Sequence, residues 1–445
     1  MGQAATTAVG IGLPNLPVAL VPGHVDGQTD NELRQNILSV TLDQVINNLL
    51  TDPDDAIAIN EPAPNDIVFE GSFEEVNRLY YENGWSDGLP IVPPTRQKIE
   101  AFMAFTDRDP QAVIGALPPD NRSATPWNVA ANGVMAGCRP EYMPVLLALI
   151  EAMADPGYGV EHSGNTPGAE TLIIVNGPII QDLGFNYEQG VLRDGFQANT
   201  AIGRFWRLCL RNIAGFLPHQ TDKGTYGGTW RVVLAENEGV LRKIGWPVVA
   251  EDEGMAAGQN AVTISRFTGG DVVTSVFGSK PEEMLPYLAD ALVKQTGWQL
   301  CFTFGMANGS YRPLLVLSPV LAETIAKAGW SKADMRDYFY DHARMPAWKF
   351  EKYIGGWTNL IPGQRKLIDL VNLGKAPKVF GESADPERPV PIVGKPEDFM
   401  IAVAGDPLRT NAFVFSHNGI LGYSTTKPVT LPADWSSRLA AARET

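Results

Sequence analysis

The chain has 445 residues, of which 44% are hydrophobic and 19% charged, so it can bury a large core as one unit or as about two or three domains. Its formal net charge of −15 argues against a nucleic-acid-binding protein, because binding to phosphates depends on clustered Lys and Arg. Cys138, Cys209 and Cys301 are far apart and form neither a disulfide framework nor a zinc motif, which is typical of a reducing compartment.

The N-terminal sequence lacks the features of a secretory signal. Its first basic residue is Arg34, and no apolar run in the chain reaches the ~18 residues of a membrane span. Met1–Thr6 fits the N-myristoylation pattern, but no second, basic membrane signal lies nearby. We therefore expect a cytoplasmic protein without a membrane partner.

Residues 1–66 are predicted to form an N-terminal arm. Pro17–Pro22 is strand-like, and a helix capped by Asp30 is predicted to reach about Leu50, with its apolar residues on one side. Thr51–Asp66 is acidic and Pro-rich, as expected for a linker.

The main domain is predicted to span 67–375, with a C-terminal β segment and tail, 376–445, packed on it. Helices are predicted from 73 to the loop that begins at 83, at 96–105, 124–135, 141–154, 200–214 and 280–294, from 319 onward, and at 332–342. Strands are predicted at 171–175, 230–234, 261–265, 272–276, 313–317, 399–404 and 412–415. This alternation favours an α/β fold with layered helices and a mixed sheet. No internal repeat has a regular period, and the common phosphate-loop, zinc and serine-hydrolase motifs are absent from the sequence.

The segment Asn83–Thr95 is predicted to be a rigid loop, because its two glycines and three prolines leave little backbone freedom. Asp87 is its only ionisable side chain. A lone Asp beside a Gly is usually a turn residue that bonds its own backbone. Held between Trp85 and the Pro-rich segment, Asp87 could instead be a fixed carboxylate that lines a pocket.

Cys138 is the best nucleophile or redox candidate within the chain. It lies between Gly137, which ends one predicted helix, and Pro140, which begins the next. Amides at a helix N-terminus and the adjacent Arg139 would stabilise a thiolate, whereas Glu141 would oppose it. The alternative is a small buried residue at a tight junction.

His162 and His417 lie in polar, Gly-containing segments where catalytic sites are common. Each could act as a general acid or base with a pKa near neutrality, or could be a hydrogen-bonded turn residue. A metal site made from these two histidines and a carboxylate is conceivable, although no spacing signature supports it.

Arg204, Arg207 and Arg211 lie opposite the apolar side of their predicted helix. They form either a solvated face or a contact to an anion or a partner. Glu236 and Asn237 follow a predicted strand, which is a position where pockets often form in α/β sheets.

Five motifs together resemble the bacterial family of UGSC (seleno)proteins, over roughly residues 70–420. The motifs are GWSDGLPIVPPT (Gly84–Thr95), VMAGCRPEYMPV (Val134–Val145), IVNGPI (Ile174–Ile179), NTAIGR (Asn199–Arg204) and AENE (Ala235–Glu238). The family is named for a Sec- or Cys-Gly-Ser-Cys motif on a small α/β domain, and this chain has no such motif. Its opening, GLPNLPVALVPGH (Gly12–His24), looks like the last strand and exit loop of that domain.

The resemblance implies that the redox motif is on a small partner subunit and that this chain is the larger part of a split enzyme. A partner thiol or selenol would then drive reduction or C–heteroatom cleavage of a small molecule. Asp87, Cys138, His162 and His417 are the catalytic candidates, and Trp85, Asn176, Asn199, Arg204, Glu236 and Asn237 are the substrate-binding candidates.

Two other functions are compatible with the sequence, and the sequence does not identify a cofactor for any of the three. One is a metal- or acid/base-dependent lyase or hydrolase that uses His162, His417 and Asp87 without a thiol. The other is a non-catalytic scaffold or binding subunit. Because the split-enzyme interpretation requires a partner chain, we expect an oligomer.

Overall fold

The computed structural model describes residues 4, 8, 13, 15–23, 28–50, 66–228, 232–304, 309–355, 366–419 and 422–444. Nearly all of the predicted acidic linker Thr51–Asp66 lies outside these residues, as do most of the myristoylation pattern and parts of Gly12–His24. The start of the predicted strand 230–234 also lies outside them.

Helices and strands alternate along the chain, and the predicted α/β class is confirmed. The helices are α1 (Asp30–Asn36), α2 (Leu42–Leu50), α3 (Phe73–Glu82), α4 (Arg96–Met103), α5 (Pro126–Ala136), α6 (Met143–Ala154), α7 (Ile179–Leu183), α8 (Gln197–Cys209), α9 (Glu238–Ile244), α10 (Val249–Asp252), α11 (Pro281–Lys294), α12 (Pro319–Lys327), α13 (Lys332–His342), α14 (Ala347–Gly355), α15 (Leu367–Asn372) and α16 (Trp435–Glu444). The strands are β1 (Gly115–Leu117), β2 (Arg122–Ala124), β3 (Glu170–Asn176), β4 (Val233–Ala235), β5 (Ala261–Val273), β6 (Leu314–Leu317), β7 (Arg344–Pro346), β8 (Pro389–Pro391), β9 (Met400–Val403), β10 (Ala412–His417) and β11 (Thr425–Pro428). Within the described ranges no helix is long and apolar enough to span a bilayer.

The central sheet has seven strands in the order β4-β3-β5-β10-β6-β9, and β11 pairs with β5. Its topology is duplicated although the sequence shows no regular repeat. In the first half, β4 is parallel to β3 and β5 is antiparallel to it. In the second half, β9 and β10 have the same relations to β6. The halves join where β5 and β10 pair antiparallel.

The sheet curls so that its two edge strands meet. The backbone N–H of Asn237, just after β4, donates to the carbonyl of Val403 at the end of β9 over 2.8 Å. One face carries a small apolar cluster made largely from the strands themselves, including Leu172, Leu314 and Phe415. Helices cover the other face with two larger apolar clusters, one for each half of the sheet.

The predicted strand 261–265 and the start of the predicted strand 272–276 belong to one continuous strand, β5, which ends at Val273. Gly269 and Gly270 lie within β5, and β10 runs beside them. A Cβ atom at Gly270 would lie 2.3 Å from the Phe413 ring and 2.8 Å from the Val414 carbonyl oxygen. Glycine is therefore needed here for the close approach of a neighbouring strand.

The segment 376–445 is part of the main sheet and not only packed on it. It supplies β9, β10 and β11, and the polar, Pro-rich stretch before them buries Phe380 and Val390. The Pro and charged residues of this stretch predicted a domain boundary. They flank short apolar segments that are buried in the fold.

The arm helix is continuous over residues 30–50, with a π-helical turn at Ile37–Thr41 between α1 and α2. Its cap is Thr29, in a capping box with Glu32, and not the predicted Asp30. The segment 17–22 has no regular secondary structure and pairs with no described strand. It lies along its own helix, where Leu20 N donates to Gln44 Oε1 over 2.7 Å.

Glu236→Ala should destabilise the protein strongly. The Glu236 carboxylate is fully buried and accepts hydrogen bonds from Val403 N at 3.2 Å, Val249 N at 2.6 Å and Asn176 Nδ2 at 2.8 Å. Leaving buried N–H groups unpaired costs about 1–3 kcal/mol each, so we expect a loss of ~3–5 kcal/mol in unfolding free energy. Urea denaturation would measure it, with the exposed Glu188→Ala as control. Equal stability of both variants would show that Glu236 does not hold the sheet edges together.

Candidate functional site

The loop 83–95 is fixed to α8 by an ion pair. The guanidinium of Arg204 donates from Nε to Asp87 Oδ2 over 3.0 Å and from Nη2 to Asp87 Oδ1 over 2.9 Å. The same Nη2 donates to the Pro90 carbonyl over 2.9 Å. The side chains of Asp87 and Arg204 are only 8% and 16% exposed. Asp87 is therefore an ion-paired group that holds the loop.

The other arginines of this helical segment also contact the chain itself, so the prediction of a solvated arginine face is wrong. Arg211 Nη1 donates to the Gly84 carbonyl over 3.0 Å, and Asn212 Nδ2 donates to the Trp85 carbonyl over 3.0 Å. The Trp85 ring packs edge-on against Tyr80, with 5.4 Å between ring centroids. The loop covers Arg204 and Arg211, whereas Arg207 pairs with carboxylates elsewhere in the chain.

Cys138 lies between two helical segments. Gly137 takes a left-handed conformation after α5, and Cys138 N donates to the Gly133 carbonyl over 3.0 Å. Pro140 begins a 3₁₀ turn that runs directly into α6 at Met143. The expected lowering of the Cys138 pKa is nevertheless wrong, because burial raises this pKa.

Burial makes all three cysteines poor nucleophiles. It raises the pKa of the Cys138 thiol well above its ordinary value, although the nearby Arg204 opposes the shift. Burial also raises the thiol pKa values of Cys209 and Cys301. A thiolate is the reactive form, so none of these groups is prepared for nucleophilic or redox chemistry in the folded chain.

Asn176, Glu236 and Asn237 form a buried cluster at the meeting sheet edges. Asn176 Nδ2 donates to Glu236, and Ala250 N donates to Asn176 Oδ1 over 3.1 Å. Asn237 caps α9 by accepting from Val240 N at 3.2 Å. Burial raises the pKa of Glu236, while hydrogen bonds and Lys332 oppose the shift. These candidates bind other parts of the chain and hold the sheet edges in place.

Asn199 has a similar role beside β4. Its Oδ1 accepts from Asn186 N at 2.9 Å, and its Nδ2 donates to the Val233 carbonyl over 2.7 Å. The predicted pocket residues thus lie in separate groups: Asp87, Arg204 and Cys138 at the loop, Asn176, Glu236 and Asn237 at the sheet edge, and Asn199 at β4.

His417 is fully buried at the end of β10. Its Nδ1 accepts a hydrogen bond from Arg312 N at 3.1 Å. Burial, with the charges of Arg312 and Arg266, lowers the pKa of His417 to about 3. The prediction of a pKa near neutrality is therefore wrong for this histidine, because an imidazolium would be costly in these surroundings.

His162 is half-buried on a 3₁₀ turn, Val160–His162. Burial lowers the pKa of His162, and the carboxylate of Glu161, 3.9 Å from Nε2, opposes the shift. The imidazole is therefore mainly neutral at pH 7 and able to accept a proton.

The residue after His162 lines a small polar cavity of about 70 Å³, which we call the polar pocket. Its polar side chains are those of Ser163, Glu170, Arg207 and Asp222. Arg207 lies between the two carboxylates, with Nε 3.4 Å from Glu170 Oε2 and Nη2 3.3 Å from Asp222 Oδ2. These carboxylates raise the pKa of Arg207 and fix its charge.

Two glycine-containing loops close around the polar pocket. Thr225 N donates to the Thr166 carbonyl over 2.8 Å. A Cβ atom at Gly168 would lie 2.5 Å from Gly227 N, so the two backbones can approach this closely only at glycine. Such loops shape a small, rigid space over the charged groups.

A buried arginine, Arg266, packs beside the polar pocket. Arg266 Nη1 donates to the Gly159 carbonyl over 2.8 Å, and its guanidinium lies over the Tyr158 ring, 4.8 Å from the centroid. Tyr158 and Thr171 share a 2.6 Å hydrogen bond between hydroxyls. The polar pocket is thus held by groups whose own hydrogen bonds are made, which is the preorganisation that binding of a small polar molecule requires.

Sequence reasoning did not select Glu170 or Asp222, and it considered Arg207 only as part of a helix face. The signal that could have found them is the pair of glycine-rich polar segments, 163–168 and 222–228. In the described part of the chain, no three His, Cys, Asp or Glu side chains are arranged as metal ligands. Comparisons with protein-family models, curated proteins and solved structures found no match.

Asp87→Asn tests the role of the loop carboxylate. The variant leaves the guanidinium of Arg204 without its anionic partner, so we expect a loss of ~2–4 kcal/mol in unfolding free energy. In a double-mutant cycle with Arg204→Gln, the coupling energy should be at least ~1 kcal/mol. The exposed Asp194→Asn is the control. A catalytic carboxylate without a structural role would instead leave stability unchanged and give no coupling.

His417→Gln should reduce the pH dependence of stability. The folded-state pKa of about 3 is below the ordinary 6.5, so the unfolded state binds more protons and stability falls as pH drops below 6.5. Between pH 7.5 and pH 5.0 the wild type should lose about 2 kcal/mol more than the variant. Urea denaturation at the two pH values measures this difference. Parallel loss in both proteins would mean that His417 can be protonated in the folded state.

Proposed function

We propose that this chain is the larger subunit of an enzyme whose reactive thiol or selenol is on a second, smaller chain, and that the complex acts on a small molecule by reduction or C–heteroatom cleavage. The motifs shared with the UGSC (seleno)proteins suggest this activity and this partner. Three features of the chain support the proposal.

The N-terminal arm is the observation that carries it. No residue of 30–50 is buried, yet this helix bears a series of apolar side chains. Leu38 is 56% exposed, and Leu49 and Leu50 are each 80% exposed. Burying apolar surface stabilises by ~25 cal/mol per Å², and a contiguous exposed apolar surface is typical of a protein interface. A helix of this kind is suited to binding another chain.

The state of the cysteines is the second feature. Cys138, Cys209 and Cys301 all lie within the described residues, and burial raises the pKa of each thiol. An enzyme of this class needs an accessible thiolate or selenolate. A partner chain would supply the group that this chain does not offer.

The polar pocket is the third feature, and it suits a small polar substrate. Arg207 is held between Glu170 and Asp222, so its guanidinium needs no rearrangement to bind a polar group. The two carboxylates outweigh the charge of this guanidinium, so the site suits a substrate group that donates hydrogen bonds, such as an amine or a hydroxyl.

A second candidate is an acid/base-dependent lyase or hydrolase that needs no partner. The observation in its favour is that neutral, half-buried His162 precedes Ser163, which lines the polar pocket. In that function His162 would act as a general base. Asp87 and His417 would have no part in the reaction, since the first is ion-paired and the second is buried.

Partner capture by the full-length chain tests the main proposal. Tagged protein from its native host should retain a small chain with a Cys- or Sec-Gly-Ser-Cys sequence, identified by mass spectrometry. Ile46→Asp with Leu49→Asp should abolish retention, because charges would be buried at the interface. The matched control, Asn47→Asp with Asn48→Asp, adds the same charge on the same turn and should retain the partner.

Removing residues 1–50 should have the same effect as the apolar-to-charged pair while the rest stays folded. Capture that survives both changes, or a captured chain without the motif, would contradict the proposal. Turnover by the isolated chain with His162 required would favour the lyase or hydrolase.

A further inference from the structure

A second cavity lies on another side of the first half of the molecule, between α4, α16 and the turn Pro140–Tyr142. It has a volume of about 850 Å³, within the range of pockets that hold small molecules. Ala104 and Phe105 line one side, and Ala441 and Ala442 line the other. We call it the arginine cleft, and it shares no lining residue with the polar pocket.

Three arginines line this cleft in a chain whose net charge is −15. Two of them have carboxylate partners. Arg139 forms an ion pair with Glu141, a buried residue in the same wall. Arg438 lies 2.7 Å from Asp107 and 2.6 Å from Asp434.

The third arginine, Arg443, differs from them. Its Nη2 donates to the backbone carbonyl of Asp182 over 2.7 Å, and it makes no ion pair with a carboxylate of the described residues. A guanidinium has five N–H donors, and this contact uses one nitrogen. Arg443 therefore keeps its charge and donors for a planar anion at the cleft.

We propose that the arginine cleft binds an amphipathic anion, a molecule with a carboxylate and an apolar body. The carboxylate would pair with Arg443, because the carboxylates beside Arg139 and Arg438 already neutralise those two groups. The apolar body would cover Phe105 and the alanines of the two helices. This binding does not depend on the proposed function, because it requires neither a partner chain nor the polar pocket.

Calorimetric titration of the full-length chain with octanoate tests the proposal. Octanoate should bind saturably with one site, and increasing KCl should weaken it because the pairing is exposed to solvent. Arg443→Gln should weaken binding at least about tenfold, since a charge-assisted hydrogen bond is lost. Ala441→Trp should block binding by filling the cleft without changing the charge.

Arg409→Gln is the control, because it removes another exposed arginine that does not line the cleft, and its affinity should equal that of the wild type. Octanol, which lacks the charge, and acetate, which lacks the apolar body, should each bind far more weakly than octanoate. The proposal is overturned if octanoate does not bind, if Arg443→Gln binds as the wild type does, or if octanol or acetate binds equally well.

Discussion

The fold depends on one buried carboxylate. Glu236 follows β4, at one edge of the sheet, and accepts a hydrogen bond from Val403 N at the end of β9, the other edge. It also accepts from Val249 N, which begins α10. Because a buried carboxylate is stable only when its hydrogen bonds are made, these contacts hold the sheet in its curl. The last residue of α10, Asp252, pairs with Lys332 and Arg336 of the second half. These ion pairs add to the contacts that hold the two edges of the sheet together.

This use of charged groups explains why most of the expected site residues are not available for chemistry. Asp87 and Arg204 form an ion pair with each other. Asn176 and Glu236 are hydrogen-bonded to each other where the two edge strands meet. The polar pocket differs, because its cavity is lined by charged side chains that ion pairs hold in place. Its glycine loops leave room where side chains would otherwise pack. A site for a small molecule is therefore more consistent with the Arg207 region than with the residues that the motifs first suggested.

Local features were predictable from the sequence, and distant pairings were not. The apolar run predicted at 171–175 is β3, Glu170–Asn176, and Gly137 ends α5 as expected. Periodicity and turn residues act over a few neighbours, so they indicate these elements directly. Asp87 and Arg204, in contrast, are 117 positions apart, and nothing in either local sequence specifies the pairing. The same limit applies to Cys138, whose environment is set by the burial of a junction and not by the helix that follows it.

The duplicated topology is not accompanied by duplicated chemistry. β3 ends in the hydrogen-bonded Asn176, whereas its counterpart β6 ends in the apolar Leu317. Glu236 follows β4, but the buried Ala404 follows β9. The carboxylate at the contact between the two edge strands therefore comes from the first half alone. The first half also supplies the side chains of the polar pocket. The second half closes the sheet and contacts the first half through β10, β11 and α10.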